Sequence, residues 1–105
     1  MDGLSARLEA PDAGTVVIWL GGALDLATRD ILSEAVAAVL PVFRPASLVV
    51  DLAGVTVLDS AGIGTLVSCW KLAKEAGCVQ SVRDPRPLAY AQLRLTGLLP
   101  VFELS

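Results

Sequence analysis

Val57-Leu58-Asp59-Ser60-Ala61-Gly62-Ile63-Gly64 takes the chain from a short apolar run into the first turn of a helix. A helix start carries unpaired backbone N–H groups and the positive end of the helix dipole. Asp59 and Ser60 are both residue types that fill the N-cap, and Ser60 is expected to cap this helix. A phosphate at such a position is tolerated by the helix terminus. Gly62 and Gly64 are costly so early in a helix, each about 1 kcal/mol worse than alanine. Two compatible explanations stand: the helix lies close against its own sheet, or a partner approaches the Ser60 surface closely.

The flanking sequence alternates strands with helices. Leu4 to Glu9 alternates apolar and polar residues, as an edge strand does. Pro11-Asp12-Ala13-Gly14 is a turn, and Thr15-Val16-Val17-Ile18-Trp19-Leu20 is apolar and β-prone enough for a central strand, broken by Gly21-Gly22. Leu24 to Thr28 leads into a helix with Thr28 as cap. Leu32, Ala35, Val36, Val39 and Phe43 form its apolar stripe, while Arg29, Asp30, Ser33 and Glu34 face away and Pro41 and Pro45 close it.

Ser47 to Leu52 is a second apolar strand, followed by a turn at Ala53-Gly54-Val55-Thr56. The central helix runs from Ala61 to Ala76 with Ile63, Leu66, Val67 and Trp70 on its apolar face and Gly77 as its C-cap. Cys78 to Val82 is a weaker strand because Gln80 and Ser81 are polar. Pro85-Arg86-Pro87 opens a third helix ended by Gly97, and Val101 to Leu104 is a last strand or packed tail. These elements predict an α/β fold: a small mixed β-sheet packed against several α-helices in a single domain, residues 1–105.

Composition narrows the function. With 54% hydrophobic and 18% charged residues, the chain has ample material for a core. No run long enough to span a membrane is free of charges and breakers, since Ala35 to Phe43 is interrupted by Pro41 and followed by Arg44. Met1-Asp2-Gly3 does not begin a signal peptide, so a cytoplasmic protein is expected. A net charge of −3 without a Lys/Arg cluster argues against direct nucleic-acid binding. Cys69 and Cys78 match no metal or redox spacing and read as small buried hydrophobes.

There is no histidine, which removes Ser-His-Asp and Cys-His catalysis and the commonest metal ligand. A nucleophile elbow would need glycine where Leu58 stands. A dinucleotide fingerprint finds Gly62, Gly64 and a suitably distant Asp84, but Val67 replaces the third glycine. A phosphate-binding P-loop lacks its Gly-Lys-Ser/Thr ending. No catalytic residue, metal site or cofactor is therefore expected.

The segment Asp51-Leu-Ala-Gly-Val-Thr-Val-Leu-Asp-Ser-Ala-Gly-Ile-Gly-Thr-Leu66 resembles the signature of STAS domains, especially bacterial anti-sigma factor antagonists. Asp51, Asp59, Ser60, Gly62, Ile63 and Leu66 match its pattern of an aspartate ending a strand, then Asp-Ser-x-Gly-(Leu/Ile)-x-x-Leu. Gly22-Ala-Leu-Asp-Leu-Ala-Thr28 is similar to the family's Gly-Glu-Leu-Asp segment, with Ala23 in the glutamate position. Asp84-Pro85, Leu95-Thr-Gly-Leu98 and Phe102 are similar to its C-terminal helix and tail.

The resemblance implies a non-enzymatic switch. Ser60 would be phosphorylated by an anti-sigma factor that is a serine kinase. The unphosphorylated form would bind that partner and release a sigma factor, and a serine phosphatase would restore it. Asp25, Asp59, Ser60, Ala61, Gly62, Ile63 and Gly64 would form the partner-binding face, with Asp59 and Asp25 as an acidic patch beside the phosphate. The alternative within the same fold is an adaptor or scaffold subunit of a stress-signalling or transport complex, without a switch.

Overall fold

The computed structural model describes residues 3–97 and 103–104. Strands β1 (Leu4–Asp12), β2 (Thr15–Leu24), β3 (Ser47–Leu58), β4 (Val79–Arg83) and β5 (Glu103–Leu104) form one sheet in the order β1-β2-β3-β4-β5. β1 is antiparallel to β2, and β2, β3, β4 and β5 are mutually parallel. Helices α1 (Arg29–Phe43), α2 (Ser60–Glu75) and α3 (Pro87–Leu95) are the crossovers between the parallel strands. The expected α/β architecture with a mixed sheet is present. Leu98 and Phe102, quoted for the C-terminal resemblance, lie outside the described residues.

Alternation along the strands divides the sheet into two faces. Val16, Ile18 and Leu20 of β2, Leu48, Val50 and Leu52 of β3, and Val82 of β4 join Leu32, Val36 and Val39 of α1, Leu66 and Cys69 of α2, and Leu93 of α3 in the main core. Gln80 enters this core too, fully buried, because its Nε2 donates to the Leu66 carbonyl at 3.1 Å. The polar residue that weakened the strand in the sequence thus ties β4 to α2. Cys69 and Cys78 are buried free thiols, as read, and burial pushes the Cys69 thiol from 9.0 up to about 11.

On the opposite face, one cross-strand row runs Arg7–Trp19–Asp51–Arg83. Both guanidiniums lie over the Trp19 ring, Arg7 at 5.4 Å and Arg83 at 4.6 Å from its centroid. Arg83 Nε also donates to the buried Asp51 carboxylate at 2.7 Å, whose other oxygen accepts from the Ala53 N–H at 2.9 Å.

Several boundaries differ from the sequence reading. Gly21-Gly22 does not break β2, which continues to Leu24, and Ala53 to Thr56 is not a turn, because β3 pairs with that continuation as far as Leu58. The glycines serve close approach of the two strands: a Cβ on Gly54 would stand 2.7 Å from the Leu20 carbonyl oxygen. Pro41 lies inside α1 and does not close it. The hydrogen bond it forgoes is to the carbonyl of Ala37, which is itself exposed. α1 instead ends where Arg44 takes a left-handed conformation and donates its N–H to Leu40 O. Phe43, expected in the apolar stripe, is largely exposed, and Leu40 takes its place in the core. β4 is shifted one residue from the expected span, and α3 begins at Pro87, not Pro85.

Candidate functional site

The candidate site lies where β2 and β3 end side by side, at Leu24 and Leu58. Beyond Leu58, Asp59 is extended and its Oδ1 accepts from the Gly62 N–H at 2.8 Å. Asp59 therefore caps α2, and Ser60 is the first helical residue. The expected Ser60 cap is corrected: the amides that a Ser60 cap would need are already taken, Gly62 N–H by the Asp59 carboxylate and Ile63 N–H by the Asp59 carbonyl at 3.0 Å. The Ser60 side chain is left exposed, with no hydrogen bond among the described residues.

Asp59 also reaches sideways. Its Oδ2 accepts from the Leu26 N–H at 3.3 Å, and its own N–H donates to Leu24 O at 3.4 Å. The β2–α1 loop is thereby fastened to the start of α2. Within that loop, Asp25 Oδ1 accepts from the N–H groups of Ala27 at 3.0 Å and Thr28 at 3.1 Å. Thr28 is buried; its hydroxyl donates to Ala23 O at 2.6 Å and accepts from the Asp25 N–H at 3.1 Å. Thr28 stands at the N-cap position of α1 but makes no side-chain cap bond, because its oxygen is committed to the loop.

The two glycines separate. A Cβ on Gly62 would lie 2.3 Å from the Leu24 carbonyl oxygen, so this glycine lets α2 cross the end of β2. Gly64 is exposed and a Cβ there would meet nothing within 4 Å. Close packing against the sheet explains Gly62 and leaves Gly64 unexplained within the chain.

Ser60 and Gly64 thus lie at the surface, Asp25, Asp59 and Ala61 are half-buried, and Gly62 and Ile63 face inward. Gly62 and Ile63 shape the site through packing. Asp51, although part of the same sequence signature, is on the other face of the sheet with Trp19 and Arg83.

Reading the sequence missed the apolar surroundings. Leu26, the residue fastened to Asp59, is 64% exposed. Val57, two residues from Asp59, is also exposed and lines a groove of about 580 Å³ between the end of β3 and α3, with exposed Leu88 and Leu95 on the far wall. The signal available was Leu26 itself, an apolar residue in the loop between Asp25 and Thr28. Only the groove required the third dimension. An exposed serine at a helix start whose cap also holds the exposed Leu26 suits protein docking.

Comparison with known proteins bears on this geometry. A family model described as "Mlab, STAS domain" matches residues 8–100. The chain is 31% identical to an anti-sigma factor antagonist from Mycobacterium paratuberculosis of known crystal structure, covering 96% of this chain and 84% of that one with a TM-score of 0.83. It is 24% identical over 91 residues to the anti-sigma F factor antagonist of Paenibacillus polymyxa, 87% of this chain and 78% of that protein. Bacillus SpoIIAA shares the fold in its phosphorylated form, at 19% identity and a TM-score of 0.73 over 96% of this chain and 91% of that one.

Proposed function

From the premise that the chain belongs to the STAS domain family, we propose that it is an anti-sigma factor antagonist switched at Ser60. In its unphosphorylated form it binds an anti-sigma factor with serine-kinase activity and thereby releases a sigma factor. Phosphorylation of Ser60 by that kinase ends the interaction, and a serine phosphatase restores it. The protein acts by binding and performs no chemistry of its own.

The observation that carries this reading is the Ser60 hydroxyl: exposed, free of hydrogen bonds among the described residues, and standing on a helix start capped by another residue. A kinase can take such a serine without dismantling a cap. The phosphate adds roughly −1.5 to −2 charges beside the carboxylates of Asp59 and Asp25. Since Asp59 keeps its bond to Gly62, the charge alters docking and leaves the fold in place. A loss of about 3 kcal/mol at the interface reduces affinity more than a hundredfold.

The test is binding of Ser60→Ala and Ser60→Glu to a serine-kinase anti-sigma factor from the same genome, with intact mass before and after ATP. Ser60→Ala is expected to bind constitutively and gain no phosphate, and Ser60→Glu to bind poorly. The wild-type chain is expected to gain one phosphate and dissociate. Equal affinity of both variants and the wild type would overturn the switch.

A further inference from the structure

We propose that β1 pairs edge to edge with β1 of a second copy of this chain, antiparallel and about a two-fold axis at Leu8. β1 is hydrogen-bonded to β2 alone among the described residues, and eight of its nine residues are exposed. Its outer edge therefore presents an unfilled backbone ladder, the usual template for another strand.

The hydrogen-bond phase of that edge can be derived. Ala23 N–H donates to Gly3 O, and Gly3 and Ala23 continue the pairing of Leu4 with Gly22. Gly3, Ser5, Arg7 and Glu9 therefore turn their backbone groups toward β2, and Leu4, Ala6 and Leu8 turn theirs outward. An incoming antiparallel strand must meet these outward groups.

Charge selects among the possible registers. A two-fold at Arg7 would set Arg7 opposite itself. A two-fold at Leu8 sets each Arg7 opposite the second copy's Glu9, twice, as a non-hydrogen-bonded pair, where side chains stand closest. It also puts Leu8, 47% exposed, against its own copy on the helix-bearing face. Arg7 is free to take this partner: it stacks on Trp19 but forms no ion pair among the described residues. Pro11 lies in the β-bulge between Glu9 and Asp12, outside the regular ladder, so its missing N–H is not needed by the pairing around Leu8.

The same charges discourage pairing with strands of another pattern. Because the two-fold reverses the second sheet, the two Ser60 turns face opposite ends of the dimer and both stay open. This inference is independent of the Ser60 switch.

One pair of edge strands makes a small contact, so weak association is expected, with a Kd on the order of 0.1 mM. Sedimentation velocity between about 10 µM and 1 mM should show the wild-type mass rising toward that of two chains. Glu9→Arg, at an exposed position, should weaken association about tenfold, and the charge-swapped R7E/E9R should recover it to within about threefold. Amide exchange at Ala6 and Leu8 should slow as concentration rises, while circular dichroism verifies each variant's fold. A wild-type chain monomeric throughout, or Glu9→Arg associating as the wild type does, would overturn the proposal. So would a folded R7E/E9R that stays as weak as Glu9→Arg.

Discussion

Asp59, the cap of α2, bridges to the neighbouring loop: its Oδ2 accepts the Leu26 N–H at 3.3 Å while its Oδ1 holds the Gly62 N–H at 2.8 Å. One carboxylate thus sets both the start of the helix that carries Ser60 and the position of the apolar Leu26 beside it. Asp59→Ala is expected to cost about 1–2 kcal/mol of stability, the range for a lost N-cap. Urea unfolding checks the magnitude. Faster amide exchange at both Leu26 and Gly62 distinguishes loss of this double tie from a general loosening.

The two glycines of the site should respond in opposite directions. Gly62→Ala drives a methyl into the Leu24 carbonyl, and because the obstacle is backbone it should destabilise by about 1–3 kcal/mol. Gly64→Ala fills open space on an exposed helical face and should stabilise by about 0.5–1 kcal/mol. Thermal melts of the two variants decide the matter. If a partner lies close over Gly64, the more stable variant should also bind that partner less tightly.

Asp51→Ala removes the buried acceptor of Arg83 and of the Ala53 N–H. Stability should fall by about 2–3 kcal/mol, as for a lost hydrogen bond to a charged group. Arg83 limits the loss because it is partly exposed and can turn to water. Trp19 fluorescence should shift as well, since the Arg83 guanidinium is stacked on its ring. A shift in stability without any change in Trp19 emission would contradict the shared row.

The Cys69 thiol has a direct pH signature. Its pKa is raised by burial from 9.0 to about 11 in the folded chain. Above pH 9 the unfolded chain loses this proton while the folded chain keeps it, so unfolding is favoured as pH rises. The contribution is intact below pH 9 and declines up to about pH 11, by on the order of 2–3 kcal/mol. Cys69→Ser should flatten that part of the stability profile. At neutral pH a thiol reagent should modify Cys69 only as fast as the chain opens.

Local chemistry made much of this protein legible in one dimension. The apolar runs of β2 and β3, the periodicity of α1 and α2, and the Asp59-Ser60 junction depend on neighbours within a few residues. That is why the α/β architecture and the strand-to-helix junction at the head of α2 could be read from residues alone. Where partners are remote in sequence, reading failed. Gly21-Gly22 and Ala53 to Thr56 have the composition of breaks and turns, yet each continues a strand because the other lies beside it. Gln80 made the fourth strand, read correctly as a strand, look weak, because its partner, the Leu66 carbonyl, lies 14 residues away.

The cap shows the division most clearly. By itself the sequence determined that a β-to-α junction stands at residues 58–60 and that an oxygen-bearing side chain caps it, because unpaired helix amides demand one. Only the tertiary structure decided which. The end of β2 and its following loop lie against the start of α2, giving the Asp59 carboxylate a second amide to hold at Leu26. With both of its oxygens engaged, Asp59 takes the cap, and the neighbouring Ser60 hydroxyl is left at the surface.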